Sequence, residues 1–436
     1  MSDRAAGDLV REVESLLLPH PGLGVPIPAY GGRSIPNVTS SAVRALGRDV
    51  AGEPGLLPPL VDPLDPFEGR RAEGPIVVLL VDGLGWGPPT GLGARPEEVP
   101  LAWRPHLRPI TTVFPTTTTV ALTSLSTAES PSRHGVVGHR LFLPAFGSVV
   151  ELLRMSPLGV GPSEAIVGPE WSPSLISAVP TVFRRGVPGT ALSRDRFAPE
   201  GFTRLIYDGA AYTGYTTAAD FAHLLAELLG RPEPPPLVFA YWDELDTVQH
   251  VRGPRPEFAA FEADQVARIL AAARRSLGPE RARRTTVLLT SDHGQVTTER
   301  AAEVAIDREP SILAHLAHPP TGDRRAGFFA ARPGHVEALS EALAERLPPG
   351  RRVLSMPRAL EAGLFGPPPF HPEIAERLGD LLVLVPSPAG LTYRVPGSPP
   401  RLRYTVGAHG GLEPAELVVP LVTGTLAELG AGPSDA

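Results

Sequence analysis

The stretch that decides the fold is Arg284–Val296, RTTVLLTSDHGQV. Val287, Leu288 and Leu289 form a short apolar run of the kind that fills a strand buried on both faces. It stops at Ser291-Asp292-His293-Gly294, where a carboxylate and an imidazole stand side by side and Gly294 lets the backbone turn away sharply. Polar groups at the carboxyl end of a buried strand are where open α/β sheets place their ligands. Taken alone, the Asp-His pair is either half of a metal site or an acidic loop.

Working outward, three other segments finish the same way. Ile76–Val81 (IVVLLV) runs into Asp82-Gly83-Leu84-Gly85-Trp86, and Leu237–Tyr241 (LVFAY) runs into Trp242-Asp243-Glu244-Leu245-Asp246 with His250 beyond. Near the other terminus, Val406-Gly407-Ala408-His409-Gly410-Gly411 precedes the strand Leu417–Thr423. Ile110–Phe114 is a further strand, followed by Pro115 and four threonines that open a helical stretch, Val120–Ser126. Leu141–Leu153 alternates like a hairpin, and Thr217–Leu229 reads as a helix. Pro256–Leu277 is a long amphipathic helix expected to turn Phe258, Phe261, Val266, Ile269 and Leu270 inward. Strands alternating with helices predict an α/β fold with a mostly parallel sheet.

Around this centre the chain divides into an N-terminal helix and wrapping segment (1–74), a catalytic α/β domain (75–298 and 404–436) and a small inserted α+β subdomain (299–403). The insertion is placed to act as a lid over a substrate. One wrapping helix is expected near Ser41–Leu46.

Composition narrows the function. With 436 residues, 42% hydrophobic and 20% charged, the chain can bury a large core. A net charge of −7 argues against a nucleic-acid polymer or an anionic membrane as partner, though not against a small phosphorylated substrate. The absence of cysteine removes thiolate metal sites and a cysteine nucleophile, and all 40 basic residues are arginine. No apolar run approaches the roughly 20 residues of a membrane helix, and the first residues do not read as a signal peptide, so a cytoplasmic location is expected.

Asp82, Asp246, His250, Asp292, His293 and His409 bring three carboxylates and three imidazoles to strand ends. That is the composition of a site for two divalent ions about 3.5–4 Å apart. Mixed oxygen and nitrogen ligation suits Zn²⁺ and tolerates Mn²⁺. Asp246 and His250, four residues apart, share one face of a helical turn. A threonine hydroxyl at the start of the following helix lies near the positive end of its dipole, where it can serve as nucleophile.

Five segments, VDGLGW, FPTTTTVALTSLSTAESPSRHGV, DELDTVQHVRGP, TSDHGQV and GAHGGLEP, occur in order between Pro75 and Val422. Together they resemble the alkaline phosphatase superfamily, and within it the nucleotide pyrophosphatase/phosphodiesterase branch and its bacterial soluble relatives. The resemblance implies an alkaline-phosphatase-like three-layer fold. It assigns Asp82, Asp292 and His293 to the metal that also holds the nucleophile, and Asp246, His250 and His409 to the other. The nucleophile falls on Thr118, the third residue after Phe114-Pro115 and sixteen before His134-Gly135. The implied activity is hydrolysis of phosphodiester or pyrophosphate bonds through a covalent threonine intermediate, with a nucleotide among the candidate substrates. The alternatives are an alkaline-phosphatase-like phosphomonoesterase, with Arg140 as the supporting cation behind the metals, and a non-catalytic metal-binding relative.

Two positions depart from the family pattern. His139 stands where the diesterases usually carry an Asn, and Thr119 where nucleotide-cleaving members have a Phe. His139, Arg140 and Tyr241 are the candidate substrate-binding residues, Tyr241 matching an aromatic that stacks on a base. Asp243 and Glu244 read as solvated loop acids, His134 as a structural cap, and His106, His315, His318, His335 and His371 as surface residues.

Overall fold

The computed structural model describes residues 3–48, 56–87, 91–94, 96–159, 161–198, 201–396 and 404–431. The three apolar runs become neighbouring strands. Ile76–Val81 lies parallel between Leu237–Trp242 and Thr286–Thr290, with Ile76 level with Leu237 on one side and Thr286 on the other. The central sheet has seven strands in the order 107–111, 418–425, 286–290, 76–81, 237–242, 189–194, 211–215. Only Val418–Thr425 runs antiparallel to its neighbours. Gly189–Arg194 and Ala211–Tyr215, which carry little apolar periodicity, complete the far edge.

Side chains alternate across this sheet. Ile76, Val78 and Leu80 join one core, beneath Val38 and Ala42 of the Ile35–Ala45 helix and Val120 and Leu125 of Thr118–Thr127. Val77, Leu79 and Val81 join another, beneath Phe221 and Leu225 of Ala218–Gly230 and Val266 and Leu270 of Pro256–Leu277. Helices on both faces make the expected three-layer α/β arrangement. Because the inner strands run the same way, residues 82, 243 and 291 reach one edge of the sheet together.

Two local expectations change. The wrapping helix starts at Ile35, earlier than expected, because Ser34 and Asn37 form a reciprocal capping box around Pro36. In Pro256–Leu277 the inward stripe is Ala259, Ala263, Val266, Ile269, Leu270 and Ala273, so Val266, Ile269 and Leu270 lie as expected. Phe261 points away from it and is 66% exposed.

A second sheet crosses the expected boundaries of the insertion. Its order is 352–355, 381–384, 326–329, 321–322, 140–143, 148–151, 156–157. The hairpin Arg140–Leu143/Ser148–Glu151 thus leaves the central layers and is extended by Thr321–Gly322, through the pairing of Gly322 with Arg140. A two-stranded ribbon has an unpaired edge, and the insertion covers it. Ile306, Phe329, Leu339, Leu343 and Val383 form a separate core under the inserted strands. Residues 397–403 of the expected insertion lie outside the described residues. Among the described residues no helix is long and apolar enough to cross a membrane.

Candidate metal centre

The six acidic and imidazole residues meet at the carboxyl edge of the central sheet in two groups. Asp82, Asp292 and His293 form one and Asp246, His250 and His409 the other, with the ligand atoms of each group within 4.8 Å of one another. The groups adjoin through the His293 and His409 rings, which stack with centroids 3.7 Å apart and planes 13° from parallel.

Each residue is held by its own element. Asp82 follows the Ile76–Val81 strand, and its backbone N–H continues the ladder to the Trp242 carbonyl at 2.8 Å. Asp246 and His250 sit one turn apart on the helix Glu244–Arg252, with Nε2 of His250 3.4 Å from Oδ1 of Asp246. Gly83 permits that helix to approach: its φ is 77°, and a Cβ there would lie 3.1 Å from Cα of Asp246. His409 follows Gly407–Ala408, which pairs antiparallel with Val296–Thr297. Gly294 owes its place to close approach more than to a turn, since a Cβ there would fall 2.0 Å from the Ala415 carbonyl oxygen. Thr118 is the first residue of the helix Thr118–Thr127, and its hydroxyl lies 3.1 Å from Nε2 of His293.

The donor set fits divalent ions. All three imidazoles turn Nδ1 towards a backbone carbonyl: His250 to Gly407 at 2.9 Å, His293 to Gly294 at 3.2 Å and His409 to Thr116 at 3.0 Å. An Nδ1–H donated in this way leaves the Nε2 lone pair free to ligate. Asp292 accepts through Oδ1 from the N–H groups of Gly83 and His293, at 3.0 and 2.9 Å. Its Oδ2 is buried without a hydrogen-bond partner, as is Oδ1 of Asp82. Two orphaned carboxylate oxygens in one buried group are costly unless a cation meets them.

The ionisation of the site points the same way. Burial, and then the charges of Asp292 and Asp246, push the Asp82 carboxyl well above its ordinary range. His409 is held well below the usual imidazole value by burial, then by His293 and His250. Like charges crowd here, as in a pocket shaped for dications.

The candidate substrate residues separate. His139 and Arg140 line the cleft above Thr118 with Asp246, His250 and His409. Tyr241 does not line it: its side chain is buried beside Asp82, and its hydroxyl donates to Oδ2 of that carboxylate. Burial, followed by the Asp82 charge, raises its phenol well above the ordinary value, so it acts as a neutral donor supporting Asp82.

Sequence reading also missed several partners. Asp243 is 4% exposed, where a solvated loop acid was expected. It accepts from Nε of Arg194 at 2.6 Å and also from Arg196, while Glu244 takes another arm of Arg194. The Arg194 guanidinium lies 4.7 and 5.3 Å from the Tyr215 and Trp242 ring centroids. This clamp fixes the start of the helix that carries Asp246 and His250. Arg194→Met is expected to leave Asp243 poorly compensated and to cost about 3 kcal/mol, read as a lower urea midpoint, with weaker metal retention. Gln295 donates to Asp246, a contact that its place two residues past His293 could have suggested. The insertion adds Asp323, Arg324 and Tyr393 to the cleft, and no motif marked them. His134 is the buried structural residue expected, 2.8 Å from Oγ of Ser124, whereas His371 is buried and His318 stacks on Phe142, neither lying free at the surface.

Comparison with known proteins places this geometry. A solved structure of murine ectonucleotide pyrophosphatase/phosphodiesterase 5 superposes with a TM-score of 0.58 at 16% identity, covering 80% of this chain and 88% of that one. An inactive variant of the same murine protein, in complex with AMP, gives 0.58 at 15% identity with the same coverage. Phosphonoacetate hydrolase from Sinorhizobium meliloti 1021, in complex with phosphonoacetate, gives 0.54 at 17% identity, covering 82% of this chain and 92% of that one. At such identities the likeness is one of fold. No curated protein matches the sequence. The family profile of type I phosphodiesterases and nucleotide pyrophosphatases matches residues 76–411, a span that holds both residue groups and Thr118. The chain therefore belongs to the type I phosphodiesterase / nucleotide pyrophosphatase family of hydrolases.

Proposed function

We propose that this protein hydrolyses phosphodiester or pyrophosphate bonds of small phosphorylated substrates, using two divalent ions and Thr118 as nucleophile. The observation that carries the reading is the Thr118 hydroxyl beside His293 Nε2, at a helix N-terminus where the two residue groups meet. Asp82, Asp292 and His293 would hold one ion and Asp246, His250 and His409 the other. Bound there, two dications, Zn²⁺ first and Mn²⁺ tolerated, would supply Lewis acidity towards a phosphoryl oxygen and favour ionised hydroxyl or water.

The chain's own residues do the rest. Thr118 Oγ1 gives up its proton and attacks phosphorus, the bond to the leaving oxygen breaks, and that oxygen departs protonated by solvent. Water then attacks phosphorus of the threonine phosphodiester, which still carries the substrate's other substituent, and this releases a phosphate monoester and restores the hydroxyl. The helix dipole at residues 118–120 favours the negative charge that develops on Thr118. Tyr241 and Gly83 keep the carboxylates of Asp82 and Asp292 oriented. His139 offers a hydrogen-bonding side chain at the cleft where relatives use an amide.

A phosphomonoesterase would need a cation for a second phosphoryl charge. Arg140 is poorly placed for that, being 3.5 Å from Glu151 and 3.4 Å from the Tyr393 carbonyl. With Zn²⁺ or Mn²⁺ present, kcat/KM for bis-p-nitrophenyl phosphate and for thymidine 5′-monophosphate p-nitrophenyl ester is expected to exceed that for p-nitrophenyl phosphate by about tenfold or more. Monoester turnover ahead of both diesters would overturn the reading.

A further inference from the structure

Asp323 belongs to no part of the machinery above. It sits in the turn between Thr321–Gly322 and Ala326–Phe329 and faces the cleft with Thr118 and His409. Its Oδ1 accepts from the Thr117 hydroxyl at 3.4 Å and its Oδ2 from the His139 backbone N–H at 3.3 Å. Its own N–H donates to the Ala326 carbonyl at 2.8 Å. Gly410 closes the other side, where a Cβ would lie 2.6 Å from Asp323 Cβ. The carboxylate is thereby pinned between the residue before Thr118, the backbone of His139 and the residue after His409.

Both of its hydrogen bonds come from neutral donors. Of the two arginines of the cleft, Arg324 pairs with Glu303 and Arg140 with Glu151, Arg140 also acting on the Asp323 carboxylate as a lesser influence than burial. Two dications would be balanced by Asp82, Asp246, Asp292 and an ionised Thr118, so Asp323 tips the cleft to a net negative charge. A phosphate substituted on both sides brings one negative charge to this place, and a terminal phosphoryl group brings two.

We propose that Asp323 is a specificity-determining carboxylate that disfavours dianionic terminal phosphoryl groups and reserves the cleft for phosphates substituted on both sides. The inference rests on the function proposed above and names the substrate class of that site. A unit charge a few ångströms away, at an effective dielectric constant of about 20, alters binding by a factor of ten or more.

The test uses the full-length protein with Zn²⁺ at about pH 8.5. There Asp323 is ionised, burial having pushed its carboxyl up to about 7. Wild type, Asp323→Asn, Asp323→Ser and Asp323→Glu are compared on bis-p-nitrophenyl phosphate and p-nitrophenyl phosphate. Inhibition by inorganic phosphate and by dimethyl phosphate is measured beside them. The neutral variants are expected to raise monoester over diester kcat/KM about tenfold and to lower the inhibition constant of inorganic phosphate by a similar factor. Dimethyl phosphate should change less than about threefold, and Asp323→Glu should keep the wild-type ratio. An unchanged ratio, or an equal loss on both substrates, overturns the inference. Either result in a wild type that prefers diesters leaves the general function standing, whereas a wild type that prefers monoesters sinks the function itself.

Discussion

Thr118→Ala is expected to lower kcat on a diester by a thousandfold or more while the protein keeps its fold and its metal. The magnitude follows from removing the proposed nucleophilic oxygen, and nucleophile deletions in hydrolases cost on the order of 10³–10⁶. Structure should survive because Thr118 is the first helical residue and Thr117 holds the N-cap position, and alanine at the first helical position is well tolerated. Although the Thr118 hydroxyl lies against His293 Nε2, each of the three histidines is also anchored through Nδ1, on the Gly407, Gly294 and Thr116 carbonyls. Steady-state rates beside elemental analysis of the purified variant decide the matter. Near-normal turnover would move the nucleophile elsewhere, and loss of metal with loss of rate would make Thr118 a ligand first.

Stripping divalent ions with a chelator is expected to bring turnover to background and to lower the melting temperature by several degrees, both restored by Zn²⁺ or Mn²⁺. The stability effect has a local cause. Without ions, Oδ1 of Asp82 and Oδ2 of Asp292 are buried acceptors with nothing to accept from, and Asp82 is forced towards its protonated form by burial and its acidic neighbours. Ions at about a thousand times their dissociation constant stabilise the fold by about 4 kcal/mol. Calorimetry with and without chelator reads this directly. Asp82→Asn should shrink the difference, because the amide brings no charge that needs an ion. Full activity in the chelated protein would remove metals from the mechanism.

The sequence made the centre legible because its residues follow a strand, open a helix or share one helical face, and each habit leaves local marks. The apolar runs 76–81 and 286–290 look like buried strands and become neighbours in register. The four-residue interval between Asp246 and His250 looks like one helical face and becomes one. What stayed hidden depends on pairing at a distance. Nothing in the texture around Arg194 shows that it will meet Asp243, 49 positions on. Tyr241 matched a base-stacking position by sequence, but strand geometry turns its ring inward, where its hydroxyl meets Asp82. The hairpin after Arg140 looked complete in itself, and only the fold reveals that the insertion extends its open edge and so brings Asp323 to Thr117, the neighbour of Thr118.

Thr116 carries a lesson for anyone rebuilding this protein. Its carbonyl accepts from His409, its hydroxyl donates to the Gly411 carbonyl at 2.9 Å and accepts from the Gly410 N–H at 3.0 Å. One small residue therefore splices together two pieces of chain separated by nearly 300 positions. Transplanting the threonine loop into a cousin, or trading it for a cousin's, calls for moving residues 409–411 as part of the same cassette.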